Sequence, residues 1–129
     1  MGDWLRDLYS TIDAKDLDGF VGALSDDVVV VFGNNPPAVG KDQVRAAIGG
    51  FFGTIASMSH NFLHVYADGD TTLLEADIDY GRLDGPHVHV PCLSVLHRDG
   101  DVVDQLRIFV DLAPVFAPLP AAEPASAPA

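Results

Sequence analysis

"VVVVFGNNPPAVGKD", residues 28–42, is four valines and a phenylalanine, then a turn of Gly, Asn and Pro, then the start of a helix. Residues 28–32 are too β-branched and too short for anything but a buried strand. Gly33-Asn34-Asn35-Pro36-Pro37 must end it, because proline cannot donate to a β-ladder. A strand feeding a helix in a small domain is a common place for polar working residues, and this strand has none. It walls either a pocket that does chemistry or one that has lost it.

Upstream, Trp4, Leu5, Leu8, Tyr9 and Ile12 recur at helical spacing. Asp16 then caps a second short helix whose apolar face is Leu17, Phe20, Val21 and Leu24. Downstream, Val44, Ile48, Phe51, Phe52 and Ile55 form one apolar stripe, the mark of a third and longest helix. From about Met58 the period changes to 2. Runs near 59–67, 71–82, 86–97 and 101–111 are separated by Asp68-Gly69-Asp70, Asp84-Gly85 and Asp99-Gly100, which predicts an antiparallel meander. The order α-α-β-α-β-β-β-β implies an α+β domain, a curved mixed or antiparallel sheet wrapped around three N-terminal helices. Such a cone leaves a cavity between its layers. The domain is expected over 1–113, with a Pro/Ala-rich tail over 114–129 that is extended or disordered after Phe116.

At 129 residues and 48% apolar composition the chain fits one domain with a single core. Seven basic against nineteen acidic side chains give a formal charge of −12, which repels nucleic acid and anionic membrane alike. The single Cys92 cannot form an internal disulfide, and neither a membrane span nor a signal peptide is recognisable. The cytoplasm is the expected compartment.

The run "FVGALSDDVVVVFGNNPPAVGKDQVRAAIGGFF" and the helix-strand order resemble the nuclear transport factor 2-like (NTF2-like) superfamily, with its SnoaL-like polyketide cyclases, ketosteroid isomerases and limonene epoxide hydrolases. The likeness covers about residues 4–113, and "PPAVGKDQV", "LLEADIDY" and "DQLRIFVDL" are its most specific parts. Limonene epoxide hydrolase can be laid on residues 24–52 without a gap. The resemblance implies that its Tyr and Asn fall on Val30 and Phe32, its Arg and acidic partner on Ala76 and Ile78, and its water-activating Asp on Arg107. All five roles need a polar group of the right kind, and all five are replaced. Losing one general base costs ~10²–10⁴ in rate, so that mechanism is disfavoured. The ketosteroid isomerase base falls near Phe32 and its oxyanion-hole acid near Leu93, which disfavours that mechanism too.

The same alignment sorts strand faces, since side chains alternate. His60 and Phe62 are expected inward from the first meander strand, and Leu74, Ala76, Ile78 and Tyr80 from the next, leaving Glu75, Asp77 and Asp79 outside. His87, His89, Pro91, Leu93 and Val95 are expected inward on the third, and Gln105, Arg107 and Phe109 on the last, with Asp111 at the rim. The pocket would then be built from Val30, Phe32, Phe51, Ile55, Ala76, Ile78, Tyr80, Leu93, Gln105 and Phe109. His60, His89 and Arg107 are the candidate catalytic groups: imidazole can take and give a proton near neutral pH, and a guanidinium can steady an enolate. Arg107 is alternatively paired with Asp111 or another carboxylate. His87 and His89 are too few for a metal site, and no cofactor is called for. His64 and His97 sit near strand ends and read as exposed, Cys92 as a small buried hydrophobe, and Trp4 and Tyr9 as packing for the first helix.

Three functional readings stand. The first is a cofactor-free isomerase, cyclase or lyase acting on an apolar polyketide-, terpenoid- or steroid-like compound. The second is a protein that binds such a molecule without chemistry. The third is a dimeric interaction module with a collapsed pocket. A homodimer is expected in each, with Leu106, Ile108 and Val110 as the outward apolar residues of the last strand.

Overall fold

The computed structural model describes residues 3–118. Two helices open the chain, α1 (Trp4–Asp13) and α2 (Leu17–Gly22). The Asp16 carboxylate accepts from the Gly19 N–H at 3.0 Å, the N-cap expected from the sequence. Between the helices Lys15 adopts a φ of 57°, and its Nζ donates to the carbonyls of Phe52 at 3.1 Å and Ile55 at 2.9 Å. That one side chain ties the first helical turn to the far end of the third helix.

Strand β1 (Leu24–Phe32) starts earlier than the valine run, because Leu24 pairs with Val103 before the ladder shifts and resumes at Val29. Leu24 is therefore a strand residue and not the end of the second helix. A two-residue strand, β2 (Ala38–Val39), follows the proline turn. Helix α3 (Gly40–Phe52) is the longest helix of the described residues, and Ile55, expected at its end, instead begins β3. The Gly53 N–H is shared by the carbonyls of Gly49 and Gly50, which closes the helix there. Strands β3 (Ile55–Asp68), β4 (Thr71–Arg82), β5 (His87–Asp99) and β6 (Val102–Val110) form the meander. A helical turn, α4 (Ala113–Phe116), then brings Val115 into the core at 3% exposure. Residues 119–129 of the expected tail lie outside the described residues.

The six strands form one sheet in the order β2-β1-β6-β5-β4-β3, antiparallel throughout except that β1 runs parallel to β6. Its inner face packs on α1, α2 and α3, and the core of Leu5, Leu8, Phe20, Val28, Val44, Leu74, Ile78 and Leu96 lies between the layers. This is the mixed curved sheet around N-terminal helices that the sequence predicts.

Two strands present the face opposite to the one expected. On β5, Val90, Cys92, Ser94 and Leu96 are buried, whereas His87, His89 and Pro91 are exposed and Leu93 and Val95 half-buried. On β6, Leu106 is buried and Ile108 and Val110 pack against the core, while Gln105, Arg107 and Phe109 are exposed. The cause is the ladder itself, since paired residues share a face. Val30 pairs with Leu106 and Phe32 with Ile108, so the register that turns Val30 and Phe32 inward also turns Leu106 and Ile108 inward. In the same way Ala76 pairs with Cys92 and Ile78 with Val90. The apolar residues Leu106, Ile108 and Val110 are thus core, not an outer docking face.

Candidate functional site

The helix–sheet interior holds one small cavity of about 40 Å³, bounded by α1, α2, α3 and the inner faces of five strands. Its walls are chiefly apolar, with Phe20, Phe32, Ile48, Phe51, Ile78 and Leu106 prominent. The polar groups that reach it are Tyr9, His60, Tyr80 and Ser94.

His60 is inward as expected, with its side chain 7% exposed. Its Nδ1 lies 2.6 Å from Asp13 Oδ1, and its backbone N–H donates to Asp13 Oδ2 at 2.9 Å. Asp13 ends α1, so the helix delivers a carboxylate onto a strand ring and both carboxylate oxygens are used. With a carboxylate on Nδ1, that nitrogen carries the ring proton and Nε2 is left to act on a ligand. Tyr9 lies one helical turn before Asp13 and packs edge-on against the His60 ring, with centroids 4.7 Å apart.

Burial pushes the Tyr9 hydroxyl well above the usual phenol range, Cys92 and Asp13 add to the effect, and Ser94 partly offsets it. Burial raises Tyr80 in the same way, with Cys92 and Asp13 contributing. Both phenols therefore stay protonated and serve as hydrogen-bond donors, not bases. Burial also raises the Cys92 thiol, 4% exposed, which keeps it inert as the sequence suggests. An imidazole backed by a carboxylate, beside protonated phenols in an apolar chamber, can move a proton next to a carbonyl and donate to the resulting oxyanion.

Of the residues expected to form the pocket, Phe32, Phe51, Ile78, Tyr80 and His60 line it. Val30 lines the groove beside it, and Ile55 and Ala76 are buried in the core without bounding the cavity. His89, Arg107, Leu93, Gln105 and Phe109 are on the outer face of the sheet, for the register reason given above. His89 Nδ1 lies 2.6 Å from Asp77, and that bond raises its pKa. Arg107 is exposed and makes no ion pair with Asp111 or another carboxylate among the described residues. The guanidinium that would have steadied an enolate is outside. No group of three or more metal-ligating side chains comes together among the described residues.

Asp13, Tyr9 and Ser94 were not singled out as site residues from the sequence. A signal existed for the first two. Leu5, Tyr9, Ile12 and Asp13 share one side of α1, and an acid on the stripe that must be buried calls for a partner.

The sequence pattern of the SnoaL-like domain family matches residues 5–105. No curated protein matches the sequence. The structure is similar to an NTF2-like protein of unknown function from Burkholderia pseudomallei K96243, with a TM-score of 0.79, 18% identity, and 88% of this chain and 95% of that one covered. It is also similar to a protein from Jannaschia sp. CCS1 named for SnoaL-like polyketide cyclases, with a TM-score of 0.76, 19% identity, and coverages of 88% and 86%. An LEH-like epoxide hydrolase of M. tuberculosis gives a TM-score of 0.72 at 18% identity, with coverages of 88% and 84%. At these identities the likeness concerns the fold.

Proposed function

The chain belongs to the SnoaL-like domain family, and from that premise we propose that it binds a small apolar molecule between its helices and sheet and moves a proton on it, as an isomerase, cyclase or lyase of a polyketide-, terpenoid- or steroid-like compound. His60 is the acid-base group, Asp13 holds its tautomer and balances its charge, and Tyr9 or Tyr80 donates to the ligand oxygen. The observation that carries this reading is the His60–Asp13 pair, 2.6 Å apart, at an otherwise apolar cavity. No step needs a cofactor.

Deuterium exchange at C1 of 2-tetralone, followed by NMR in D₂O, tests it. The parent protein should accelerate exchange, and His60→Gln and Asp13→Asn should each lower that acceleration by ~10²–10⁴. Arg107→Ala, on the outer face, should match the parent. Parent-level exchange in His60→Gln would overturn the assignment.

A second reading, an interaction module whose pocket has collapsed, is favoured by the size of the cavity. At about 40 Å³ it takes only a few waters, against roughly 300–1,000 Å³ for ordinary ligand sites. On this reading the parent neither binds 2-tetralone saturably nor accelerates its exchange, whereas saturable binding with no exchange would select ligand binding without chemistry.

We also propose that the chain pairs with a second copy through the outer sheet face. Leu63 and Phe109, 48% and 55% exposed, support this, together with the charge pattern there. Glu75, Asp77, Asp79 and Asp104 each face a histidine, respectively His64, His89, His87 and His97. That face is the least repulsive part of an anionic molecule.

A further inference from the structure

Beside the inner cavity lies a second space, an open groove of about 460 Å³ whose walls include Val30, Pro36, Ala38, Ala47, Leu112 and Phe116. The cavity and the groove share three side chains, Phe32, Ile48 and Phe51. Ile48 is buried in the middle of α3, and Phe32 sits at the end of a strand paired to β6. Phe51 is different. It is half-buried on the last turn of α3, and its ring makes edge contacts to Phe32 at 4.8 Å, Tyr80 at 5.8 Å and Phe116 at 6.4 Å. Tyr80 belongs to the cavity and Phe116 to the groove, so the ring stands between the two.

The sequence around it, Gly49-Gly50-Phe51-Phe52-Gly53, has three glycines in five residues. Glycine is a poor helix former, and a Cβ placed on Gly50 would meet nothing within 4 Å, so packing does not demand a glycine there. At Gly50 the turn that carries Phe51 is loosened although the surroundings leave room for alanine, whereas a Cβ on Gly49 would lie 2.9 Å from Leu17 Cδ2.

We propose that Phe51 is a side-chain gate, and that with the ring swung aside the cavity and the groove become one elongated site for a flat, uncharged, ring-containing molecule with a hydroxyl or carbonyl at one end. The oxygen-bearing end reaches His60 and Tyr9, and the flat body takes over the edge contacts that Phe51 makes with Phe32, Tyr80 and Phe116. The groove is lined by no ionisable side chain, Asn35 and Thr54 being its polar members, which is why the body must be uncharged. The joined volume falls in the ordinary range for ligand sites, which the cavity alone does not. This rests on the proposed ligand site at His60 and adds its entrance, its length and the shape of what it takes.

The test uses N-phenyl-1-naphthylamine, a neutral apolar dye whose fluorescence rises on leaving water. In stopped flow with the parent protein, the association rate should level off at high dye concentration, because opening of the gate becomes limiting. Phe51→Ala should abolish the plateau. Gly50→Ala, which fits the space and stiffens the turn, should lower the plateau at least threefold and is the variant to rely on should Phe51→Ala fold poorly. Ala47→Trp, which fills the groove without touching the cavity, should weaken binding at least tenfold. A rate linear in dye in the parent, a plateau unmoved by Gly50→Ala, or undiminished binding in Ala47→Trp would each overturn the gate. Arg107→Ala, on the outer face, should bind the dye like the parent. A plateau that Gly50→Ala lowers, in a parent protein that exchanges no proton on 2-tetralone, would defeat the catalytic reading and leave this one standing.

Discussion

Lys15 occupies a left-handed backbone position, φ 57°, that costs most residues free energy and suits glycine. It is tolerated because its Nζ reaches the carbonyls of Phe52, the last residue of α3, and Ile55, the first of β3. Lys15→Ala should keep the strain and lose both bonds, a loss of about 1.5–3 kcal/mol read from the urea midpoint. Lys15→Gly loses the bonds but relaxes the backbone, so it should unfold at higher urea than Lys15→Ala. The reverse order would show that the left-handed backbone at position 15 carries no strain, and a Lys15→Ala midpoint equal to the parent's would show that the side-chain contacts are unimportant. At this scale the sequence was partly legible. His60 is identifiable because its strand follows a clear alternation, whereas its partner Asp13 is far away in sequence and nothing local announces a contact between a helix end and a strand.

The elements were legible as types and less so as faces. The hairpin signals at Asp68-Gly69-Asp70 and Asp99-Gly100 place the turns, with Gly69 and Gly100 at φ 59° and 63°. Faces were harder, because β5 is apolar at Val90, Cys92 and Leu96 and also at Pro91, Leu93 and Val95, so alternation alone gives no sign. On β6 the pattern was readable: Gln105 and Arg107 share one parity, Leu106, Ile108 and Val110 the other. Laying a relative's catalytic positions on that strand overrode the simpler hydrophobic reading. The outer face has its own chemistry. Hydrogen bonds from Asp77 and Asp104 raise the pKa of His89 and His97, so the folded chain holds those protons to a higher pH than the unfolded one. Their stabilisation is complete below about pH 6.5 and is lost as the pH rises through the raised folded values. A double variant, His89→Gln with His97→Gln, should therefore fall short of the parent's urea midpoint more at pH 6 than at pH 9. An equal shortfall at both would show that the pairs do not titrate with folding.

At the scale of the whole molecule, a net charge of −12 opposes association, and the outer face sets His87 and His89 against Asp79 and Asp77. In sedimentation at micromolar concentration the parent should run as a dimer and Phe109→Asp as a monomer. Because Phe109 is 55% exposed, the variant should keep the parent's fold. A monomeric parent would remove the proposed pairing. Fold class was legible at this scale because the helix-strand order and the turn chemistry agree, and no single long-range contact is needed to read them. The long-range feature of the sheet that local pattern does not announce is the parallel pairing of β1 with β6. It means that on a ribosome the opening strand, with only the two-residue β2 beside it, must wait for the last long strand to be synthesised before it has a lasting neighbour. Until then its valines are a sticky edge, and in a crowded cell the time of greatest danger to this protein is its own birth.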